Sequence, residues 1–261
     1  MENDASRRRE SLHSKITVFN MTIPAYGTMV ILGAMVVTVL GIIVCLCRKM
    51  SIDSFLKLEF FGGIFAILGA KLWFMLVNAK DYTGKSFTLE NFSDSGFSSY
   101  GGIILGMIAV WITAMLIKVD FESYARNLLF LVPLFHAFWK TGCYMGGCCY
   151  GIEYSGLGAV VFPEGVKAPA GISLFPIQIL EVIILLVLSV FFLVKIITGL
   201  NRPVIKYLVV YATSRLITDF LRQRPDGGLL SVAQLVSIGS ILIVGVTKFI
   251  ENKYRKRRIL E

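Results

Sequence analysis

The sequence predicts an all-α integral membrane protein with about seven transmembrane helices. Its mean hydropathy is +0.73, and 56% of its 261 residues are hydrophobic while only 16% are charged, which is unusual for a soluble globule. The apolar residues form blocks of about 20, the length that a helix needs to cross a bilayer core. These blocks lack the alternation of apolar and polar residues expected of a membrane barrel, so helices are the predicted spanning elements.

Seven apolar segments are interpreted as spans of a membrane domain over residues 23–250. They cover residues 24–47, 55–77, 101–117, 128–139, 177–194, 207–221 and 229–249. The fourth is short and is interpreted as half a span that leads into a glycine-rich stretch. Residues 1–22 form a basic, interfacial head and residues 251–261 a basic tail. The predicted outer loops are residues 78–100 and 152–176, and the second is expected to be structured, with a short strand pair around LGAVVF.

The distribution of Lys and Arg predicts that the N-terminus lies outside and the C-terminus inside. In that orientation fourteen of these residues fall in the inner loops and the tail, six in the outer loops and four in the head, as the positive-inside rule requires. The net charge of +9 is therefore interpreted as an anchor beside anionic lipid. A basic motif interleaved with aromatic residues is missing, so nucleic acid is not an expected partner.

Four cationic residues fall in the outer half of the predicted bundle: Lys71, Lys140, Arg215 and Arg222. Arg215, Asp219 and Arg222 have the spacing i, i+4 and i+7, which is one face of a helix. One interpretation is an internal ion network that only holds the helices together. The other is an anion site, because the positive charges outnumber the negative one. Arginine and lysine together hold phosphate, so a phospholipid headgroup is the predicted ligand.

A stretch at residues 136–151, HAFWKTGCYMGGCCYG, is unusually rich in reactive and small residues. Its cysteines, Cys143, Cys148 and Cys149, could form a zinc set with His136, but the spacing matches no standard zinc finger. A disulfide, a thiol nucleophile and simple packing are the other possibilities. All four stay open, and the predicted site contains no metal and no cofactor.

Six short motifs occur in an order that resembles one known family. They are Tyr26 with Gly27; Gly69, Ala70 and Lys71; Tyr100, Gly101 and Gly102; WKTGCYMGGCCYG at residues 139–151; Pro176, Gln178 and Glu181; and Arg215, Asp219 and Arg222. Their order and spacing resemble those of the bacterial prolipoprotein diacylglyceryl transferases, over roughly residues 23–245.

The resemblance implies an enzyme of the bacterial cytoplasmic (inner) membrane whose active site faces the outer leaflet. Such an enzyme moves a diacylglyceryl group from phosphatidylglycerol to a cysteine thiol of a prolipoprotein, and cations hold the phosphate. The predicted catalytic residues are Tyr26, Tyr100, His136, Arg215 and Asp219. The predicted substrate-binding residues are Lys71, Lys140, Cys143, Gly151, Gln178, Glu181 and Arg222.

Four positions depart from the motifs of that family. Lys140 replaces an arginine, Cys143 an asparagine, Cys148 an acidic residue and Tyr100 a histidine. The missing histidine removes a candidate base, and His136, one turn before Lys140, is the predicted substitute because a base must reach its proton. Two alternatives remain: a paralogue that uses another acceptor, and a phospholipid-binding or transport protein on the same fold.

Overall fold

A computed structural model describes residues 15–18, 21–79, 98–198, 203–223 and 230–260. The protein is mostly helical, at 76% helix, which confirms the predicted class. The helices of this part of the chain are α1 (Ala25–Cys47), α2 (Ile52–Val77), α3 (Ser99–Leu116), α4 (Phe121–Leu128), α5 (Leu131–Met145), α6 (Ile177–Thr198), α7 (Pro203–Thr218) and α8 (Val232–Leu260). The strands are β1 (Lys15–Val18), β2 (Met21–Pro24), β3 (Val160–Val161) and β4 (Ser173–Leu174).

Several of these helices are long and apolar enough to cross a membrane, so this is a multi-pass membrane protein. Within the described ranges α1, α2 and α6 meet that condition separately. Helices α4 and α5 meet it as a pair, bent by 54° at the break between them. Shorter apolar helices cover Tyr100–Leu116 and Val232–Lys248. Each predicted span overlaps a helix or the bent pair, while the count of seven and the orientation stay predictions.

The chain separates into two compact units, one of residues 38–124 and one of residues 1–37 with 125–261. In the first unit α2 packs along α3, and the closest approach is at Gly69 and Gly101. A Cβ atom on either glycine would run into the backbone carbonyl of the other, so only glycine allows the two backbones to lie this close. The small residues of the second span therefore pack on a neighbouring helix.

Two predicted site residues, Lys71 and Tyr100, belong to this first unit. The side chain of Lys71 is buried on α2, which favours the interior over an extension to the membrane surface. Tyr100 is half-buried in the first turn of α3. Their roles in a site stay predictions.

In the second unit α5 packs against α6, and α7 packs against α8. The Ser189 hydroxyl of α6 donates a hydrogen bond of 2.9 Å to the Phe130 carbonyl at the start of α5, and this bond satisfies a backbone acceptor where α4 and α5 break. Strands β1 and β2 pair antiparallel before α1. Residues 1–14 and 19–20 of the predicted head lie outside the described residues, as do residues 80–97 of the first outer loop.

The loop between α5 and α6 is structured, as expected. Strand β3 falls within LGAVVF and pairs antiparallel with β4, which confirms the predicted strand pair. Phe162, Ala168 and Leu174 form a small buried cluster. The half-buried residues around it are Tyr144, Tyr150, Val160 and Val166. This packing gives the loop a core of its own beside the end of α5.

The prediction that Arg215, Asp219 and Arg222 share one helical face is wrong for Arg222. Helix α7 ends at Thr218, a 3-10 turn covers Asp219–Leu221, and Arg222 has extended backbone, with φ −94° and ψ 142°. Its backbone forms an antiparallel bridge with Gly151. Backbone pairing of Arg222 with Gly151 thus takes the place of the helical hydrogen bonds that the i+7 spacing predicts for Arg222. Helix α8 continues without a break through residues 251–260 of the predicted tail.

Candidate active site

The centre of the candidate site is the carboxylate of Glu181, in the first two turns of α6. Lys140 Nζ, on α5, lies 2.9 Å from Glu181 Oε2. Arg222 Nη2 lies 2.8 Å from Oε2 and 2.9 Å from Oε1. Arg215, near the end of α7, donates a further hydrogen bond to Oε1. Three cations from three segments of the chain therefore converge on one carboxylate.

Asp219 is the second carboxylate of the cluster. Arg215 Nη2 lies 3.2 Å from Asp219 Oδ1, so the predicted i, i+4 pair is present. The Ser231 hydroxyl donates a hydrogen bond to Oδ2 of Asp219. Ser231 also caps α8 in a reciprocal box with Gln234, with bonds of 3.0 Å from Ser231 N to Gln234 Oε1 and of 3.1 Å from Gln234 N to Ser231 Oγ.

The cluster carries a surplus positive charge. Lys140, Arg215 and Arg222 bring three positive charges against the two negative charges of Glu181 and Asp219. Their side chains are only 4–15% exposed, so solvent screens the surplus weakly. Charges at this depth are costly unless they are paired. Binding of one further anion would therefore neutralise the surplus charge of the cluster.

Two buried polar atoms at the site have no hydrogen-bond partner among the described residues: Oε1 of Gln178 and Nε of Arg222. Gln178 is fully buried, and its Nε2 donates a bond of 2.9 Å to the carbonyl of Cys148. Unsatisfied buried polar atoms cost free energy, and a bound ligand often removes that cost. The orphan N–H of Arg222 is a donor that an incoming phosphate oxygen could use.

A small pocket opens beside the ion cluster. Its lining consists of His136, Lys140, Glu181, Ile184, Leu185, Tyr211, Ser214, Arg215 and Thr218. The His136 ring lies against Tyr211, with ring centroids 5.6 Å apart, and near Trp139, at 6.3 Å. The predicted base and three residues of the ion cluster thus face the same space.

Tyr26 lies at the start of α1 and packs edge-on against Trp139, with ring centroids 6.3 Å apart. The backbone of Tyr26 also packs against Gly142, where an added Cβ would come within 3.2 Å of the Tyr26 carbonyl oxygen. Helix α1 therefore contacts α5 one residue before Cys143.

Gly151 joins the loop after α5 to the segment that carries Arg222. Besides the bridge to Arg222, Gln223 N donates to Tyr150 O at 3.2 Å and Ile152 N donates to Leu221 O at 3.1 Å. A Cβ on Gly151 would collide with the backbone carbonyl of Phe175. A residue with a side chain would push these backbones apart and move the Arg222 guanidinium away from Glu181.

The three cysteines of the central stretch lie together. The sulfur atoms of Cys143, Cys148 and Cys149 are all within 4.8 Å of one another, and all three cysteines are free thiols. Hydrogen bonds from Cys143 and Cys148 lower the pKa of Cys149 below the ordinary value of a thiol, and the positive charges of Arg222 and Lys140 act in the same direction. The sequence analysis left a zinc set, a disulfide, a nucleophile and packing open; the structure brings the three sulfurs together with no disulfide between them, and the group does not include His136.

Ten of the twelve predicted site residues lie in the second unit: Tyr26, His136, Lys140, Cys143, Gly151, Gln178, Glu181, Arg215, Asp219 and Arg222. Two further residues of the site, Ser231 and Tyr211, were not predicted from the sequence. The S-x-x-Q pattern of a capping box, SVAQ, marks Ser231 in the sequence. Tyr211 precedes Arg215 by one helical turn, and that spacing could have placed both on one face.

Comparison with known proteins gives one consistent result. The profile of a family described as prolipoprotein diacylglyceryl transferase matches residues 14–250. The chain is 30% identical over 247 residues to phosphatidylglycerol–prolipoprotein diacylglyceryl transferase 2 of Clostridium perfringens, covering 92% of this chain and 95% of that protein. It is 30% identical over 244 residues to the phosphatidylglycerol–prolipoprotein diacylglyceryl transferase of Clostridium tetani, covering 92% and 97%. It is 25% identical over 234 residues to the protein of that name from Clostridium botulinum (strain Langeland), covering 87% and 91%.

Proposed function

Because this chain belongs to the prolipoprotein diacylglyceryl transferase family, we propose that it transfers a diacylglyceryl group from phosphatidylglycerol to a cysteine thiol of a prolipoprotein. The observation that carries this proposal is the convergence of Lys140, Arg215 and Arg222 on Glu181, with its surplus positive charge. A phosphodiester brings the single negative charge that the cluster lacks.

The reaction needs cations where charge develops. A thiolate sulfur attacks the glyceryl carbon, a C–S bond forms, and the C–O bond to the phosphate breaks. The electron pair of that bond stays on the phosphate oxygen, and glycerol phosphate leaves with one more negative charge than the lipid phosphate carried. Preorganised cations stabilise such a leaving group more than they stabilise the substrate.

Glu181 acts in this proposal as an internal counterion. It holds Lys140, Arg215 and Arg222 in place before lipid binds, so they need no reorganisation when the phosphate arrives. A guanidinium has five N–H donors and an ammonium three, so these cations can add a phosphate without releasing Glu181. The unpaired Nε of Arg222 is one such donor.

His136 is the proposed base that takes the thiol proton. It lines the same pocket as Lys140, Glu181 and Arg215, where a thiol next to the lipid phosphate would be within reach. Tyr26 and Asp219 complete the proposed catalytic residues of this unit. Gln178, Gly151 and Cys143 are proposed to shape the lipid-binding surface. Lys71 and Tyr100 are proposed to contribute from their own unit, as their positions in the family's motifs imply.

The proposed setting is the bacterial cytoplasmic membrane, with seven spans, the N-terminus outside and the site facing the outer leaflet. The excess of Lys and Arg in the inner loops supports this orientation. The substrates support it as well, because a prolipoprotein presents its cysteine on that side of the membrane.

The test is transfer from phosphatidylglycerol vesicles to a lipobox peptide, followed by mass spectrometry of the thioether product. Arg215→Ala removes the hydrogen bond to Glu181, the ion pair with Asp219 and one proposed phosphate donor. At about 1.5–3 kcal/mol for each charged hydrogen bond, transfer should fall by at least about 10–150-fold. Arg48→Ala removes the same charge from an exposed position and should leave transfer unchanged. A folded Arg215→Ala protein with full activity would make the cluster a structural network only.

The departures at Lys140, Cys143 and Tyr100 favour a second function, phospholipid binding or transport without transfer. The same assay separates the two functions. Arg215-dependent binding of phosphatidylglycerol with no thioether product, for any lipobox peptide, would support the second function. A thioether on a different thiol acceptor would indicate a paralogue with another substrate.

A further inference from the structure

The three-cysteine cluster has the geometry of a metal site. Cys143 lies in the last turn of α5, and Cys148 and Cys149 lie in the turn that follows. Their sulfur atoms are within 4.8 Å of one another. Zinc–sulfur bonds of about 2.3 Å in a tetrahedral site place the sulfurs about 3.8 Å apart. A contraction of no more than about 1 Å would therefore bring all three sulfurs onto one ion.

The backbone holds this arrangement without help from a ligand. Cys148 N donates to Cys143 O at 3.0 Å, and Gln178 Nε2 donates to Cys148 O at 2.9 Å. Cys149 has φ +58°, a left-handed conformation that is uncommon and unfavourable for a residue with a side chain. The turn is therefore preorganised to direct both neighbouring thiols toward Cys143.

The surroundings also suit a thiolate site. Three thiolates and one divalent cation carry a net charge of −1, which is costly near a membrane unless positive charge lies close by. Lys140 lies three residues before Cys143, on the same face of α5. The backbone bridge between Gly151 and Arg222 brings the second cation to the same turn. Lys140 and Arg222 act electrostatically on Cys149, so they lower the cost of negative charge at the proposed site.

We propose that Cys143, Cys148 and Cys149 bind one zinc ion through three thiolates, and that the open fourth position takes the acceptor thiol. The sequence pattern predicted no metal site, because the spacing C-x4-C-C matches no standard finger. The folded turn changes that expectation, because it brings the three sulfurs close together although their spacing in the sequence matches no standard zinc finger. Three protein ligands and one open position are the arrangement of catalytic rather than structural zinc sites.

The consequence for the reaction depends on the proposed function and deepens it. On binding to zinc the acceptor R–SH would lose its proton to water, because a bound metal lowers the pKa of a thiol, and a metal-bound thiolate would remain. His136 lies two helical turns before Cys143, about 10 Å along the helix, so a thiol at this position would not need it as a direct base. The sulfur lone pair then attacks the glyceryl carbon, the C–O bond breaks, and its electrons leave with glycerol phosphate. The product thioether is neutral and a weaker ligand than a thiolate, so it can leave the metal. No oxidant or reductant is needed.

The first experiment measures metal in the purified protein, kept reduced, by elemental mass spectrometry, and repeats the measurement after exchange into Co²⁺. One zinc per chain and a sulfur-to-cobalt charge-transfer band are expected for the natural protein. Cys148→Ser and Cys149→Ser should each lose most of the metal. Cys47→Ser, which changes a thiol outside the cluster, should keep it. A protein that binds no zinc, that binds copper instead, or that keeps zinc in both cluster variants would overturn the proposal.

The second experiment tests the fourth position. Addition of a lipobox peptide to the Co²⁺ protein should shift the charge-transfer band, and its Cys→Ser analogue should not. Removing the metal should slow transfer by about 10–30-fold, since a thiol with pKa about 8.5 is only a few per cent ionised at pH 7. Transfer that continues unchanged without metal would overturn the inference and leave the proposed function standing. A shifted band with no transfer would support the inference and refute the proposed function.

Discussion

Glu181→Gln separates an anion site from a network that only stabilises the bundle. The change keeps the shape of the side chain and removes the charge on which Lys140, Arg215 and Arg222 converge. Three positive charges then face only Asp219, so the surplus rises from one charge to two. Breaking a buried ion pair by removing one partner costs about 3–5 kcal/mol. In vesicles of zwitterionic lipid the variant should therefore unfold more easily by about that amount.

Phosphatidylglycerol should reverse much of this loss. Donors that Glu181 no longer engages become available to the lipid phosphate, at about 1.5–3 kcal/mol for a charged hydrogen bond. The lower figure corresponds to roughly tenfold tighter binding. The assay compares unfolding temperature and lipid affinity across nanodiscs with increasing fractions of phosphatidylglycerol. Affinity should rise by about tenfold in Glu181→Gln, and the unfolding temperature should recover as the anionic fraction rises.

The control is Glu153→Gln, which removes the same charge from an exposed position in the same unit. It should change neither affinity nor stability by more than about 0.5 kcal/mol. Equal effects of both variants would mean that only overall charge matters. A Glu181→Gln protein that is destabilised in every lipid and binds phosphatidylglycerol no more tightly would refute the anion site.

Three further outcomes are expected. His136→Gln should slow transfer by about 10²–10⁴-fold and leave lipid binding intact; an unchanged rate at saturating peptide would exclude His136 as the base. Gly69→Ala should destabilise the protein by about 1–3 kcal/mol, because the new Cβ meets a carbonyl oxygen. The control Gly63→Ala should be neutral or stabilising, because its Cβ meets nothing within 4 Å. The stability of both variants is measured by denaturation in detergent. The orientation is tested in a background with the five native cysteines changed to serine. There Ser155→Cys should react with an impermeant thiol reagent added from outside, and Ile259→Cys should not. The reverse result would overturn the predicted orientation.

The features that could be predicted from the sequence are those determined by short-range patterns of neighbouring residues. Apolar blocks predict helices because the period and length of a span are properties of neighbouring residues. The pair of Arg215 with Asp219 follows from one helical turn. The close contact at Gly69 follows from small residues, although their partner on α3 does not.

The features that sequence could not predict depend on long-range pairing. Lys140 and Glu181 are 41 positions apart on different helices, and their spacing contains no information about their contact. Arg222 continues the helical spacing of α7, yet its backbone pairs with Gly151 and becomes extended. The turn that brings the cysteines together contains Cys149 in a left-handed conformation, which spacing patterns do not predict.

The connection between α7 and α8 is fixed at both of its ends. Before it, Arg222 and Gln223 pair with the loop after α5; after it, Ser231 is bonded to Asp219 while it caps α8. Insertions, deletions or a grafted peptide between these two attachment points should be tolerated, since longer loops cost little extra closure entropy. This connection is the natural place to build an affinity handle or a fluorescent reporter into the protein without disturbing the ion cluster, and a place where related chains can diverge in length.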